Sequence, residues 1–242
     1  MNSSEQKKTN FVRHEPCSEC RVNGNDTKGN NLSRYSDGSA YCFACQHYEG
    51  PRIISLTSTK VKKRMNFIEG EYKDLAKRRL SSETLQKFHY QISKDAHIAN
   101  YYNKDSELVA QHIRKPNKDF KWVGSVENLQ LFGQHLWRDG GKLCVVTEGE
   151  IDSMSVSQYV FQNRFPVVSI PSGVQSASKY IAQNIEWLEL FDHVIFCFDN
   201  DKQGREAAIK CAALLTPSKA KIASLPLKDA SDMIQAGKSK DL

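Results

Sequence analysis

From residue 141 onward the sequence alternates between two patterns, and this alternation limits the folds open to it. "KLCVVTE", "FPVVSI", "HVIFCFD" and "AKIASLP" read as short, nearly continuous apolar strands. Helical stretches lie between them at Asp152–Gln162, Ser176–Leu190 and Gly204–Leu215. In the last, Ala207, Ala208, Cys211, Leu214 and Leu215 share one helical face. A β-α-β-α-β-α-β order implies a parallel sheet covered by helices on both faces. Reactive groups on such sheets gather beyond the carboxyl ends of the strands.

Those strand ends carry acids. Glu148 closes the first strand, Gly149 permits a sharp turn, and Glu150 and Asp152 enter the next helix. Asp199 and Asp201 close the third strand, and Asp229 follows the fourth. In one parallel sheet Glu148, Asp199 and Asp201 converge, and Asp229 can join them. Close carboxylates repel and raise one another's pKa unless a cation neutralises them. Three or four of them suit one or two Mg²⁺ ions, which take oxygen ligands and leave room for phosphate.

The N-terminal part has a different chemistry. Cys17 and Cys20 form one C-x-x-C pair, and Cys42 and Cys45 a second. Each pair is a knuckle, and two knuckles complete a tetrahedron for one structural Zn²⁺. Cys144, Cys197 and Cys211 lie in apolar runs and read as core filler. The charge is uneven: residues 1–66 hold 11 basic and 6 acidic side chains, whereas residues 141–242 hold 11 and 12. A basic, zinc-bearing arm suits a polyanion. Its aromatic and basic side chains together suit single-stranded nucleic acid.

Four segments result: a zinc-binding ribbon at 1–49, a flexible basic linker at 50–66, a mixed α+β subdomain at 67–140, and the parallel-sheet subdomain at 141–242. In the mixed subdomain "EYKDLAKRRLSSETLQKF" reads as two short helices, the second capped by Ser81 or Ser82. "HIANYYNKDSELVAQHIR" reads as two strands around a turn at Asn103–Asp105. No stretch approaches the ~20 apolar residues of a membrane span, and the N-terminus lacks an apolar signal core, so a cytoplasmic location and no membrane partner are expected.

"VVTEGEIDSMSV" and "VIFCFDNDKQGREAA" resemble the two motifs of the Toprim fold. With the four-cysteine ribbon, "SDGSAYCFAC" and "LFGQHLW", the chain resembles the primase half of T7-type bacteriophage primase–helicases, from about Phe11 to Asp232. The expected fold class is α/β: a Toprim-type parallel sheet flanked by helices, preceded by the mixed subdomain and a small β ribbon.

The resemblance implies a DNA-dependent RNA polymerase that makes short primers in a phage-infected bacterial cell. Its implied partners are single-stranded DNA template, ribonucleoside triphosphates, a replicative helicase and a DNA polymerase. It implies Glu148 as general base or metal partner, Asp199, Asp201 and Asp229 as Mg²⁺ ligands, and Glu150 and Asp152 in support. It implies Arg79, Arg114, Lys118 and Lys121 as nucleotide- and template-binding residues. His112 stands where the phage pattern has Lys. In the ribbon, Asp37, His47 and Tyr48 are implied in template recognition, and Ser39 stands where the pattern has a His that helps read the template. The alternative is a RecR-like, non-catalytic DNA-binding repair protein, which also joins zinc cysteines to Toprim. Nuclease and topoisomerase readings are weaker; the latter needs a nucleophilic Tyr on a separate domain. No Walker A motif is present, so helicase activity is not expected from this sequence, which reads as a primase fragment or a primase lacking the motor.

Overall fold

The computed structural model describes residues 10–50, 66–94, 96–117 and 119–242. The segment read as a linker lies outside the described residues except at its two ends. The chain divides into two compact units, residues 1–64 and 65–242.

In the first unit β1 (Phe11–Glu15) leads to a single helical turn, α1 (Ser18–Val22), which carries Cys20 just beyond Cys17. Strands β2 (Leu32–Tyr35), β3 (Ala40–Cys42) and β4 (Tyr48–Glu49) complete an antiparallel sheet in chain order. The β2–β3 turn needs Gly38, whose φ of 81° is left-handed. The core of this unit is Cys17, Cys20, Leu32, Ala40 and Cys42. Three of those five residues are prospective metal ligands, so little apolar surface is left to hold the unit together without an ion. Around it, Arg34 bonds to Glu15 and Glu49 at 2.7 Å each, and the Arg34 guanidinium holds Glu15 down to about 2. Buried Asp26 accepts from the backbone N–H groups of Cys17 and Asn30 and so fixes the first knuckle.

The second unit begins with a one-turn 3₁₀ segment (Ala76–Arg78) where the sequence suggests a helix. Arg79 ends it at φ 55°, a left-handed stop that prevents the turn from extending into a helix. Helix α2 (Ser82–Lys87) follows, and of the two candidate caps it is Ser81 whose hydroxyl accepts from the Thr84 N–H. Four strands then form an antiparallel meander: β5 (Tyr90–Ser93), β6 (Ala96–Tyr102), β7 (Leu108–Arg114) and β8 (Phe120–Gly124). The sequence pattern reveals only the central pair; β5 and β8 flank it.

The remainder runs β9 (Gly141–Thr147), α3 (Glu150–Tyr159), β10 (Val167–Ser169), α4 (Ala177–Gln183), α5 (Ile185–Leu188), β11 (Phe191–Cys197), α6 (Lys202–Ala212), β12 (Ala220–Ile222) and α7 (Ala230–Gln235). The strands are all parallel, in the order β10-β9-β11-β12. The stretch read as one helix from Ser176 to Leu190 is broken at Asn184, whose side-chain amide donates to the carbonyls of Tyr180 and Leu129. Both sheets share one apolar core. Phe132 is fully buried at its middle, with ring centroids 5.8 Å from Phe88 and 5.5 Å from Tyr101, and the same core reaches Val146, Phe196 and Cys211. Cys144, Cys197 and Cys211 are all buried. Among the described residues no helix is long and apolar enough to cross a membrane.

Candidate active site

In β9 and β11, Thr147 pairs with Cys197, so the two strands end side by side. Glu148 follows one and Asp199 the other. Asp201 caps α6 by accepting from the Gly204 N–H at 2.8 Å, and Asp229 caps α7 through the Asp232 N–H at 2.7 Å. Gly204 sits against this turn: a Cβ there would lie 2.1 Å from the Asp199 carbonyl oxygen. Strand ends and helix starts thus bring Glu148, Asp152, Asp199, Asp201 and Asp229 to one rim.

The electrostatics follow from crowding. Burial, then the negative charges of Asp199 and Asp201, push Glu148 up to about 7. Its Oε2 is buried and has no hydrogen-bond partner among the described residues. Burial, then the charges of Asp229 and Asp199, push Asp152 up to about 8, although its Oδ1 accepts from the Ser231 N–H at 2.9 Å. Burial also raises Asp199, against the opposing pull of Lys228. An orphaned carboxylate oxygen and acids held above their ordinary range fit a divalent cation, which would relieve both. The carboxylate oxygens do not close into a tight cage. The only set of three or more ligand atoms within 4.8 Å of one another among the described residues is the four cysteines. Lys228, a residue that the sequence pattern did not single out, bridges the acids instead, with Nζ 3.2 Å from Asp199 Oδ2 and 3.9 Å from Asp229 Oδ2.

Glu150 points elsewhere. Burial favours its neutral form, but a 2.6 Å bond to His112 Nδ1 and a 2.9 Å bond from the Tyr101 hydroxyl outweigh burial and hold the carboxyl below its usual range. It joins α3 to the antiparallel sheet. His112 is sandwiched there between Trp122 and Phe120, at centroid distances of 4.5 and 5.3 Å.

A cavity of about 500 Å³ beside α3 is lined by Lys73, Lys77, Arg78, Lys94, Arg114 and Lys115, with Asp74 the one acid. His97 on its wall is pushed down by burial and then by the charges of Arg114, Arg78 and Lys73. Such a positive, partly enclosed hollow suits phosphate. Arg78 connects it to the acidic rim: its Nη1 donates to Ser231 Oγ at 3.1 Å, and the Ser231 N–H donates to Asp152.

The predicted basic residues divide. Arg114 lines the hollow. Arg79 does not; its guanidinium donates to the Ile234 carbonyl at the end of α7, and its neighbour Arg78 occupies the wall instead. Lys121 pairs with Ile113 on β7, one residue out of step with the His112–Trp122 and Arg114–Phe120 pairs. Side chains alternate along a strand, so Lys121 faces away from Arg114. Lys118 lies outside the described residues.

In the ribbon, Cys17–Cys45 and Cys20–Cys42 have sulfurs 3.6 Å apart, and all four lie within 4.8 Å of one another. A tetrahedron with ~2.3 Å zinc–sulfur bonds has edges of about 3.8 Å, so the spacing of the four cysteines fits a zinc ion. Asp37 accepts from both the N–H and hydroxyl of Ser39, at 3.0 and 2.6 Å, which hold it below its usual range. Ser39 is therefore engaged locally and almost fully buried. Tyr48 is exposed, and His47 Nε2 lies 4.0 Å from Glu49.

A four-stranded parallel sheet with this acidic rim, joined to an antiparallel sheet, defines a Toprim protein. Residues 145–234 match the family described as Toprim-like, and residues 70–124 the family described as bacteriophage T7 DNA helicase/primase, N-terminal a+b fold. The primase fragment of the bacteriophage T7 primase–helicase protein is 33% identical, with a TM-score of 0.74 over 96% of this chain and 97% of that one. The chain belongs to the T7-type primase–helicase family. The DNA helicase/primase of enterobacteria phage T3 is 35% identical over 95% of this chain, which spans 42% of that protein's length. A structure of the bacteriophage T7 lagging-strand DNA polymerase interacting with primase domains bound to an RNA/DNA hybrid and dTTP matches at 38% identity and a TM-score of 0.67, over 71% of this chain and 89% of that one. The DnaG catalytic core, at 16% identity and a TM-score of 0.54, shares the fold.

Proposed function

We propose that this chain is a DNA primase: it joins ribonucleoside triphosphates into short RNA primers on single-stranded DNA. The observation that carries the reading is Glu148, held at about 7 beside Asp199 and Asp201, on a rim joined through Arg78 and Ser231 to a basic hollow. Family membership supports it.

Asp199, Asp201 and Asp229 would hold one or two Mg²⁺ ions, with Glu148 and Asp152 beside them. When bound, Mg²⁺ neutralises triphosphate charge and stabilises in-line displacement at the α-phosphate. Arg78 and Arg114 bind triphosphate oxygens in the hollow and orient the chain of phosphates toward the rim. Glu148, with a pKa close to neutrality, takes the proton from the attacking 3′ hydroxyl. Arg79 steadies the end of α7, and Lys121 is left to contact template on the opposite sheet face. One structural Zn²⁺ on Cys17, Cys20, Cys42 and Cys45 shapes the ribbon, and Tyr48, His47 and Asp37 meet unstacked template bases. A replicative helicase and a DNA polymerase are the expected partners, by analogy with the relatives.

Incubation with a single-stranded DNA library, ribonucleotides and Mg²⁺ should yield short oligoribonucleotides. Asp199→Ala should reduce the yield by about 10²-fold or more while leaving DNA affinity intact. If no template gives an oligomer, with zinc and Mg²⁺ binding verified, the reading fails; shortening of labelled DNA instead would indicate a nuclease.

A further inference from the structure

We propose that Lys228 is a built-in counter-cation of the acidic rim, bridging Asp199 and Asp229 until a divalent ion displaces it. The inference deepens the proposed metal site and rests on it. Three observations carry it. First, the Lys228 ammonium lies 3.2 Å from Asp199 Oδ2 and 3.9 Å from Asp229 Oδ2, the position of a cation shared between two acids. Second, its backbone is tied to the same turn: the Asn200 N–H donates to the Lys228 carbonyl at 2.6 Å, and the Asn200 side-chain amide donates to the Leu225 carbonyl at 2.7 Å. The backbone of the lysine is therefore held beside the acids, and only its side chain is left to move. Third, its side chain is 61% exposed, whereas those of Asp199 and Asp229 are only 15% and 16% exposed. The acids are fixed and sheltered, but the ammonium has open solvent to swing into.

This arrangement solves a problem of the rim. Several carboxylates held together without a cation would repel one another and loosen the strand ends. A tethered ammonium limits that repulsion, and because it is monovalent and largely solvated, a divalent ion can replace it. Lys228 thus keeps the ligands assembled and sets the threshold of metal concentration at which they are released to the ion. It is a positioning residue, acting through Asp199 and Asp229.

The test is Mn²⁺ binding to the zinc-loaded chain, followed by the electron-spin-resonance signal of free Mn²⁺ at low salt. Lys228→Met should bind Mn²⁺ about threefold to tenfold more tightly than wild type, with the gap closing as salt screens the lost charge. Lys228→Arg, which keeps the cation, should not bind more tightly than wild type. In chelator and without Mn²⁺, Lys228→Met should melt at a lower temperature than wild type, because the acids then face one another without a counter-charge. Unchanged or weaker Mn²⁺ binding in Lys228→Met, or an unchanged melting temperature in chelator, overturns the role of Lys228 alone. If wild type binds no Mn²⁺ that Asp199→Asn removes, the metal site itself fails, and this inference with it.

Discussion

The two units meet the same need, holding polar ligands in a fixed geometry, in opposite ways. In the ribbon the ligands are the core: three of its five core residues are cysteines. In the larger unit the acids sit on the rim of a sheet whose own apolar core is complete without them. An ion in the first place would supply fold; in the second, on the proposed function, it would supply chemistry. On that reading, loss of the first metal would unfold the ribbon locally, and loss of the second would leave the larger unit folded but idle.

Zinc removal should break the comparison most visibly. A structural zinc contributes roughly 10 kcal/mol or more of folding free energy in such small modules. Stripping zinc, or making Cys42→Ser, should collapse the dispersed amide resonances of residues 10–50 and leave those of the larger unit in place. A ribbon that keeps its resonances without zinc would mean that its small core suffices. The converse change lies at Phe132, whose ring is fully buried where the two sheets meet. Phe132→Ala should cost the larger unit about 3–5 kcal/mol in urea unfolding, with zinc content unchanged.

The smallest effect sharpens the contrast through pH. Asp152 is raised to about 8 and Glu148 to about 7, so the folded metal-free protein holds protons that the unfolded chain has already released. Stability then falls as pH rises through these values. His89, His97 and His135 are all lowered, chiefly by burial, and act in the opposite sense only below about pH 6.5. Between pH 7 and 8.5 the larger unit should lose on the order of 1 kcal/mol without Mg²⁺, and Asp152→Asn should remove most of that loss. Urea midpoints across this range that stay level or rise in wild type would show that the acids are not crowded.

How much of this was legible depended on whether the pattern was local. The four parallel strands announce themselves because each is a short apolar run closed by a turn, and the acids at their ends follow. Helix α7 and strands β5 and β8 leave fainter traces, since "HYQIS" and "FKWVG" are short and sit among charges. The adjacent arginines 78 and 79 look equivalent in sequence; only the left-handed turn at Arg79 decides which of them reaches the hollow. Arg114 and Lys121 share a basic run, but pairing across β7 and β8 sends them to opposite faces. Lys228 could not be found from spacing at all, because a lone lysine beside Asp229 becomes meaningful only when Asp199 arrives from 29 residues earlier in the chain.

Gly204 has no functional group, yet the position of Asp199 depends on it. With the backbone carbonyl of that aspartate 2.1 Å from where a methyl group would stand, even alanine must shift the backbone that carries Asp199. The strand-to-helix turn that presents the acids is thus held by a residue with no side chain at all, and a single added methyl group there is a larger disturbance than the loss of a surface charge.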